Sequence, residues 1–286
     1  MEKSAVLFVN IHKDNALDTA TVIKTELEKR SITTTVFSFE GEPGSPPVGS
    51  WDVAFSIGGD GTVLYTARCL SPLGVPILPV NLGSIGFIAG VREDWLDVFE
   101  KWEKGEILVS QRCMLDVYVQ RDSKIIMNNL CLNDIVISAS GIAKLINLDV
   151  NINSNAGLAA LGPYRCDGLI ISTPTGSTAY SMAAGGPILD PEMEAMLLTP
   201  ICPFSLSNRP IVLPSRQTLA ITVANEQRSG VLLTVDGQDT FNLECADEIY
   251  VKQSESYAKL IYTDRHTYYS ALLKKLFNRI PGGEYA

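Results

Sequence analysis

The chain changes rhythm near residue 107, and few architectures accommodate both halves. Beyond that point apolar and polar residues alternate. The clearest run is "LINLDVNINS", in which Ile146, Leu148, Val150 and Ile152 alternate with Asn147, Asp149, Asn151 and Asn153. "MLDVYVQ", "LAITV" and "VLLTV" repeat the pattern. Period two predicts antiparallel strands with one face in water. Before residue 107 strands and helices take turns. "AVLFVN", "TTTVFSF", "DVAFSI" and "VPILPVN" read as strands, while "LDTATVIKTELEKR", "TVLYTARCL" and "REDWLDVFEKWEKGE" read as helices. In the last of these Trp95, Val98, Phe99 and Trp102 share one helical face. Repeated βα units imply a mostly parallel sheet covered by helices. The expected fold class is α/β: an N-terminal Rossmann-like α/β domain plus a C-terminal antiparallel β-sandwich domain. The expected boundaries are residues 1–107, rejoined by a helical tail over 268–286, and residues 108–267.

Length and charge narrow the function. A chain of 286 residues, 46% of them hydrophobic, is enough for one large domain or two moderate ones with packed cores. No apolar run approaches the roughly 20 residues of a membrane span. "MEKSAVLFVN" lacks the pattern of a secretory signal and reads as a first strand. The net charge of −9 argues against a broad nucleic-acid surface. It leaves room for an anionic small molecule held by local amides and a few cations. The cysteines are Cys69, Cys113, Cys131, Cys166, Cys202 and Cys245, never closer than 18 positions, and the only histidines are His12 and His266. That spacing gives no CxxC motif and no zinc site. Reduced cysteines in a cytoplasmic protein are the expectation.

Four segments can carry chemistry. "SIGGDGTVL" follows a strand and opens a helix, the geometry in which glycine amides and a helix N-terminus hold phosphate. It has neither the GK[ST] of a Walker loop nor GxGxxG spacing. Asp60 amid Gly58, Gly59 and Gly61 is then either a functional acid or a helix cap. "NLGSIGFIAG" is a second glycine-bearing loop after a strand, at the sheet edge where open α/β folds bind ligands, or else an ordinary connection. "LNDIVIS" places Asn133 beside Asp134, a pair able to hold a base edge or ribose hydroxyls, or else a polar strand start. "YRCDGLIISTPTGSTAYSMAAGGPI" crowds hydroxyls around glycines, and without a histidine partner or GxSxG spacing it contains no serine nucleophile. "TVDGQD" reads as a hairpin turn on Asp236-Gly237.

In this order, "GGDGT", "NLGSIGF", "LNDIVIS", "DGLIISTPTGSTAYSMAAGGPI", "SNRPIVLP" and "DGQ" resemble the NAD kinase family, from about residue 52 to the tail. "GGDG" alone is shared with diacylglycerol, sphingosine and 6-phosphofructokinase relatives; "DGLIISTPTGSTAYS" is more specific. The resemblance implies phosphoryl transfer from ATP to the adenosine ribose 2′-hydroxyl of NAD, with a divalent metal, Mg²⁺, whose ligands no motif identifies. It also implies a site in the cleft between two domains and a homo-oligomer, dimer or tetramer, without nucleic-acid or membrane partners. Carried onto this chain, Asp60 is the general base or the group that positions the hydroxyl. Gly58, Gly59, Gly61 and Thr62 face phosphate, and Phe87 stacks on adenine. Asn133, Asp134, Lys144, Arg165 and Asp167 contact the dinucleotide, Thr178, Ala179, Tyr180, Ser181, Met182 and Ala183 wrap it, and Gln238 completes the site; Asp60 and Gly61 touch it too. The alternatives are a lipid or sugar kinase of the same superfamily and a non-catalytic dinucleotide sensor.

Overall fold

The computed structural model describes residues 3–40, 44–83, 86–88, 94–107, 109–142, 144–154, 157–261, 268–269 and 272–273. These residues fall into two compact units. The first runs up to Gln111 and resumes at Ala258; the second is Arg112–Tyr257.

The first unit contains β1 (Ser4–Asn10), α1 (Ala16–Lys29), β2 (Thr33–Phe39), β3 (Val53–Gly58), α2 (Asp60–Leu70), β4 (Ile77–Asn81) and α3 (Trp95–Glu103). The strands run parallel in the order β2-β1-β3-β4. All six residues of β3 are buried, because helices cover both faces of the sheet. On one face Ile23 and Leu27 of α1, with Val98 and Phe99 of α3, pack on Leu7, Val9 and Phe55. Phe8, one position out of phase, turns to the other face and meets Phe37 and Tyr65 of α2. The apolar face expected for α3 is present: Trp95, Val98 and Phe99 are buried, and Trp102 packs partly buried beside them.

The second unit contains most of β5 (Val109–Arg121), then β6 (Lys124–Cys131), β7 (Asp134–Ala139), β8 (Ile146–Ser154), β9 (Gly157–Cys166), β10 (Gly168–Ser172), a 3₁₀ turn (Thr175–Thr178), α4 (Tyr180–Ala183), β11 (Ala195–Ile201), β12 (Ile211–Pro214), β13 (Thr218–Val223), β14 (Val231–Val235), β15 (Asp239–Leu243) and most of β16 (Glu248–Ile261). One sheet has the order β9-β8-β13-β16, with β5 between β16 and β6. The other has the order β12-β11-β10-β7-β14-β15. Their inner faces form one core, with Leu148, Val150, Leu219 and Ile221 on one side and Ile135, Ile137, Leu169, Ile171 and Leu198 on the other. The alternation read from β8 holds: Ile146, Leu148, Val150 and Ile152 are buried, and Asp149 and Asn153 are exposed.

Three strands depart from the one-wet-face expectation. β10 is buried along its whole length, and β7 and β11 nearly so. The chain after β10 folds back over their outer face, where Ser181 of α4 bonds Thr199 of β11. The tail helix expected in "YYSALLKKLFN" lies mostly outside the described residues; Tyr268, Tyr269, Leu272 and Leu273 are helical. None of the six cysteines is in a disulfide. Among the described residues no helix is long and apolar enough to cross a membrane.

Candidate active site

In the first unit β3 ends at Gly58, Gly59 is extended at φ −115° and ψ −169°, and Asp60 is the first residue of α2. An acid there is favoured by the helix dipole. Gly59 takes the capping position of that helix, and Asp60 is not its cap residue. Instead its Oδ2 accepts the Phe87 amide at 2.9 Å and its Oδ1 accepts the Ile88 amide at 3.2 Å. The two glycine loops seen in the sequence are thereby tied together at the carboxyl edge of the sheet, and the Leu82 amide donates to the Gly58 carbonyl at 2.8 Å. Gly86 makes the contact possible, since a Cβ there would lie 1.9 Å from Asp60 Oδ1. Gly61 is exposed and Phe87 half-buried. Thr62 is buried, its hydroxyl 3.5 Å from Asn10 Nδ2 rather than open to a ligand. Ser84, Ile85, Ala89 and Gly90 of the second loop lie outside the described residues.

The second unit builds its group around the bend between β6 and β7. The Asn133 and Asp134 amides donate to Asp236 Oδ1 at 2.7 and 3.2 Å, and the Leu132 amide donates to Oδ2 at 3.1 Å. Asp236 reaches them from the tight turn between β14 and β15, where it and Gly237 have φ of 52° and 66°. Gln238 closes that turn by donating its amide to the Val235 carbonyl at 2.9 Å. The 3₁₀ turn lies against the same bend. Thr173 donates its amide to the Asn133 carbonyl at 2.9 Å and its hydroxyl to the Leu132 carbonyl at 2.5 Å. The Tyr180 amide donates to the Asp134 carboxyl. Burial, reinforced by the Asp236 charge and opposed by that amide, pushes Asp134 up to about 7. Asn133 Oδ1, Ser172 Oγ and Thr175 Oγ1 are buried and have no hydrogen-bond partner among the described residues. Buried polar atoms of that kind mark where a ligand or water completes the structure.

Of the residues expected to touch a dinucleotide, the structure brings Asn133, Asp134 and Tyr180 together, with Gln238 in the turn that carries Asp236. Tyr180 and Ala183 are exposed, Ala179 and Met182 half-buried. Thr178 is buried, its hydroxyl 3.2 Å from the Thr175 carbonyl, and Ser181 is buried, its hydroxyl 2.9 Å from that of Thr199. Arg165, on β9, holds its guanidinium 4.8 Å above the Phe204 ring. Asp167 donates its amide to the Ile201 carbonyl at 3.0 Å between β9 and β10. Lys144 is exposed in the bend before β8. Asp60, Gly58, Gly59, Gly61, Thr62 and Phe87 belong to the other unit. The sequence reading missed Asp236 as anything but a turn residue; no spacing rule reports that its carboxylate reaches back to the β6–β7 bend. Among the described residues no three His, Cys, Asp or Glu side chains are grouped to hold a metal ion.

Comparison with known proteins agrees with this layout. Residues 47–105 match the family model of the ATP-NAD kinase N-terminal domain, and residues 132–263 that of the ATP-NAD kinase C-terminal domain. The chain is 41% identical over 276 residues to an NAD kinase of Treponema denticola, covering 96% of each. It is 36% identical to one of Thermoanaerobacter pseudethanolicus, covering 98% of this chain and 100% of that one. By structure it resembles yeast NADH kinase complexed with NADH, with a TM-score of 0.85 and 23% identity, over 99% of this chain and 89% of that one. An Archaeoglobus fulgidus NAD kinase in complex with ATP gives a TM-score of 0.72 and 23% identity, over 95% and 98%. At that identity the two structures speak for the shared fold of an α/β unit and a β-sandwich. The extent and identity of the sequence matches go further: the chain belongs to the NAD kinase family of enzymes.

Proposed function

We propose that the enzyme transfers the terminal phosphoryl group of ATP to the adenosine ribose 2′-hydroxyl of NAD. The observation that carries this reading is the Asn133–Asp134 pair, a buried carboxamide oxygen with no partner among the described residues, beside a carboxyl held near neutrality. Such a pair both donates and accepts toward a ribose or a base edge. In the transfer, the ribose 2′-oxygen bonds to the γ-phosphorus while the bond to the β–γ bridging oxygen breaks and ADP leaves. The hydroxyl proton passes to Asp60, whose carboxylate two amides hold in one orientation. Gly58, Gly59 and Gly61 at the head of α2 serve the phosphates. The described residues form no three-ligand metal cage. A divalent ion such as Mg²⁺, bound together with ATP, would offset the charge of its phosphates. The family resemblance also supports a homo-oligomer working in the cytoplasm, which sedimentation and cell fractionation test.

The decisive experiment is NADP formation from NAD with ATP as donor, run beside NADH, a sphingoid base and fructose 6-phosphate as acceptors. Asp60→Asn should fold and bind NAD, yet turn over roughly 10²-fold more slowly or worse. Turnover near the wild-type level would remove Asp60 from the chemistry.

A further inference from the structure

The Asp236 carboxylate does more than a hairpin turn requires. It collects three consecutive main-chain amides, Leu132, Asn133 and Asp134, and the Cys131 thiol at 3.2 Å. A run of converging N–H groups calls for a purely accepting group with two oxygens; an asparagine would turn an NH₂ toward them. Asp236 also donates its own amide to the Asp134 carbonyl at 2.8 Å. Leu132 and Asn133 lie between β6 and β7, outside any strand ladder, so this carboxylate supplies the order that a ladder supplies elsewhere. The same contacts bring two acids together inside the protein. Asp134 is 5% exposed and Asp236 7%. Among the described residues, the groups facing Asp134 are Asp236 from the β14–β15 turn, the Tyr180 amide from α4, and Ser172, its register partner on β10; Cys131 of β6 faces Asp236. None of these is cationic.

We propose that Asp236 is the positioning residue of the dinucleotide loop, and that the carboxyl pair it forms with Asp134 makes dinucleotide binding weaken as pH rises. The inference rests on reading the Asn133–Asp134 bend as the NAD site. The sign follows from Asp134, pushed up to about 7 by burial and by Asp236. Below that value it keeps a proton and can both donate to and accept from the ligand. Above it, two adjacent carboxylates meet a ligand that carries a diphosphate. A bound dinucleotide adds burial and negative charge, so it favours the protonated form, and affinity declines on the alkaline side.

The test is calorimetric titration of NAD into the full-length enzyme from about pH 5.5 to 8.5, paired with steady-state kinetics. Wild-type affinity should fall above about pH 7, by at most about tenfold per pH unit. Asp236→Asn should raise the KM for NAD about tenfold or more while kcat and the KM for ATP stay within about threefold. It should also move the inflection to lower pH, because the repelling charge is gone; a purely structural role would lower the melting temperature without moving it. If Asp236→Asn fails to fold, Asp134→Asn replaces it and should flatten the profile. A flat wild-type profile overturns the inference, as does an Asp236→Asn enzyme with unchanged NAD KM and inflection. NADP formation with a flat profile would sink this inference and leave the proposed reaction standing; pH-dependent NAD binding without NADP formation would do the reverse.

Discussion

At Gly176 nothing larger than hydrogen fits. A Cβ there would lie 2.0 Å from the Asn133 carbonyl oxygen and 2.5 Å from its carbon. Those atoms are main chain and are themselves held by the Thr173 amide at 2.9 Å, so they have little freedom to yield. Gly176→Ala should therefore destabilise by roughly 1–3 kcal/mol, the range for overpacking. Because the displaced atoms belong to Asn133, the KM for NAD should rise as well. Denaturant titration and kinetics read the two effects, and a variant that matches wild type in both would show that the bend relaxes. At this scale the sequence was only half legible. It marked Gly176 in a hydroxyl-rich loop and Asn133 in a polar pair at an apolar strand, but a contact between the two has no period or spacing to betray it. The hydroxyls show the same limit. Ser177 donates to the Pro174 carbonyl at 2.6 Å and accepts the Leu189 amide at 3.0 Å. A hydroxyl that holds its own loop and one that faces a ligand are the same letter in a sequence.

Among elements, the β6–β7 bend carries the cost of its acids into stability. The unfolded chain ionises Asp134 in the ordinary carboxylate range, while the folded chain keeps that proton up to about pH 7. Between those values the folded state binds more protons, so stability declines as pH rises through this window and levels off above it. Asp134→Asn removes the dependence. Relative to wild type it should gain stability from pH 4 to pH 8, by at least about 1 kcal/mol at the upper end. Denaturation midpoints at the two pH values check this, and a difference independent of pH would contradict it. The strands themselves were legible where one face is wet, as in β8, because alternation records burial directly. β10 and β11, "GLIIS" and "AMLLTPI", carry nearly continuous apolar runs. Such runs report burial on both faces without saying what covers them. The cover is the 3₁₀ turn and α4, whose short polar sequence gives no helical period to read.

For the molecule as a whole, one strand serves two cores. β16 pairs its first residues with β13, Ile249 opposite Ile221, inside the sandwich. Ten residues or so later the same strand runs parallel to β4, Leu260 opposite Ile77, and Ile261 joins the core of Leu7, Phe55 and Phe99. The first unit is thus completed by residues far along the chain, a pairing with high loop-closure cost that no local pattern announces. The two cores otherwise share no members: one draws on residues from Leu115 to Val251, the other on residues up to Phe99 plus Ile261. Ile261→Ala should therefore act on one unit. Ile261 is fully buried, and truncation at such a site costs roughly 2–5 kcal/mol. Native-state hydrogen exchange should show lost protection in β1 and β3 while β7 and β10 keep theirs. Equal losses in all four strands would mean that the chain unfolds as one cooperative body, with β16 transmitting the defect from one core to the other.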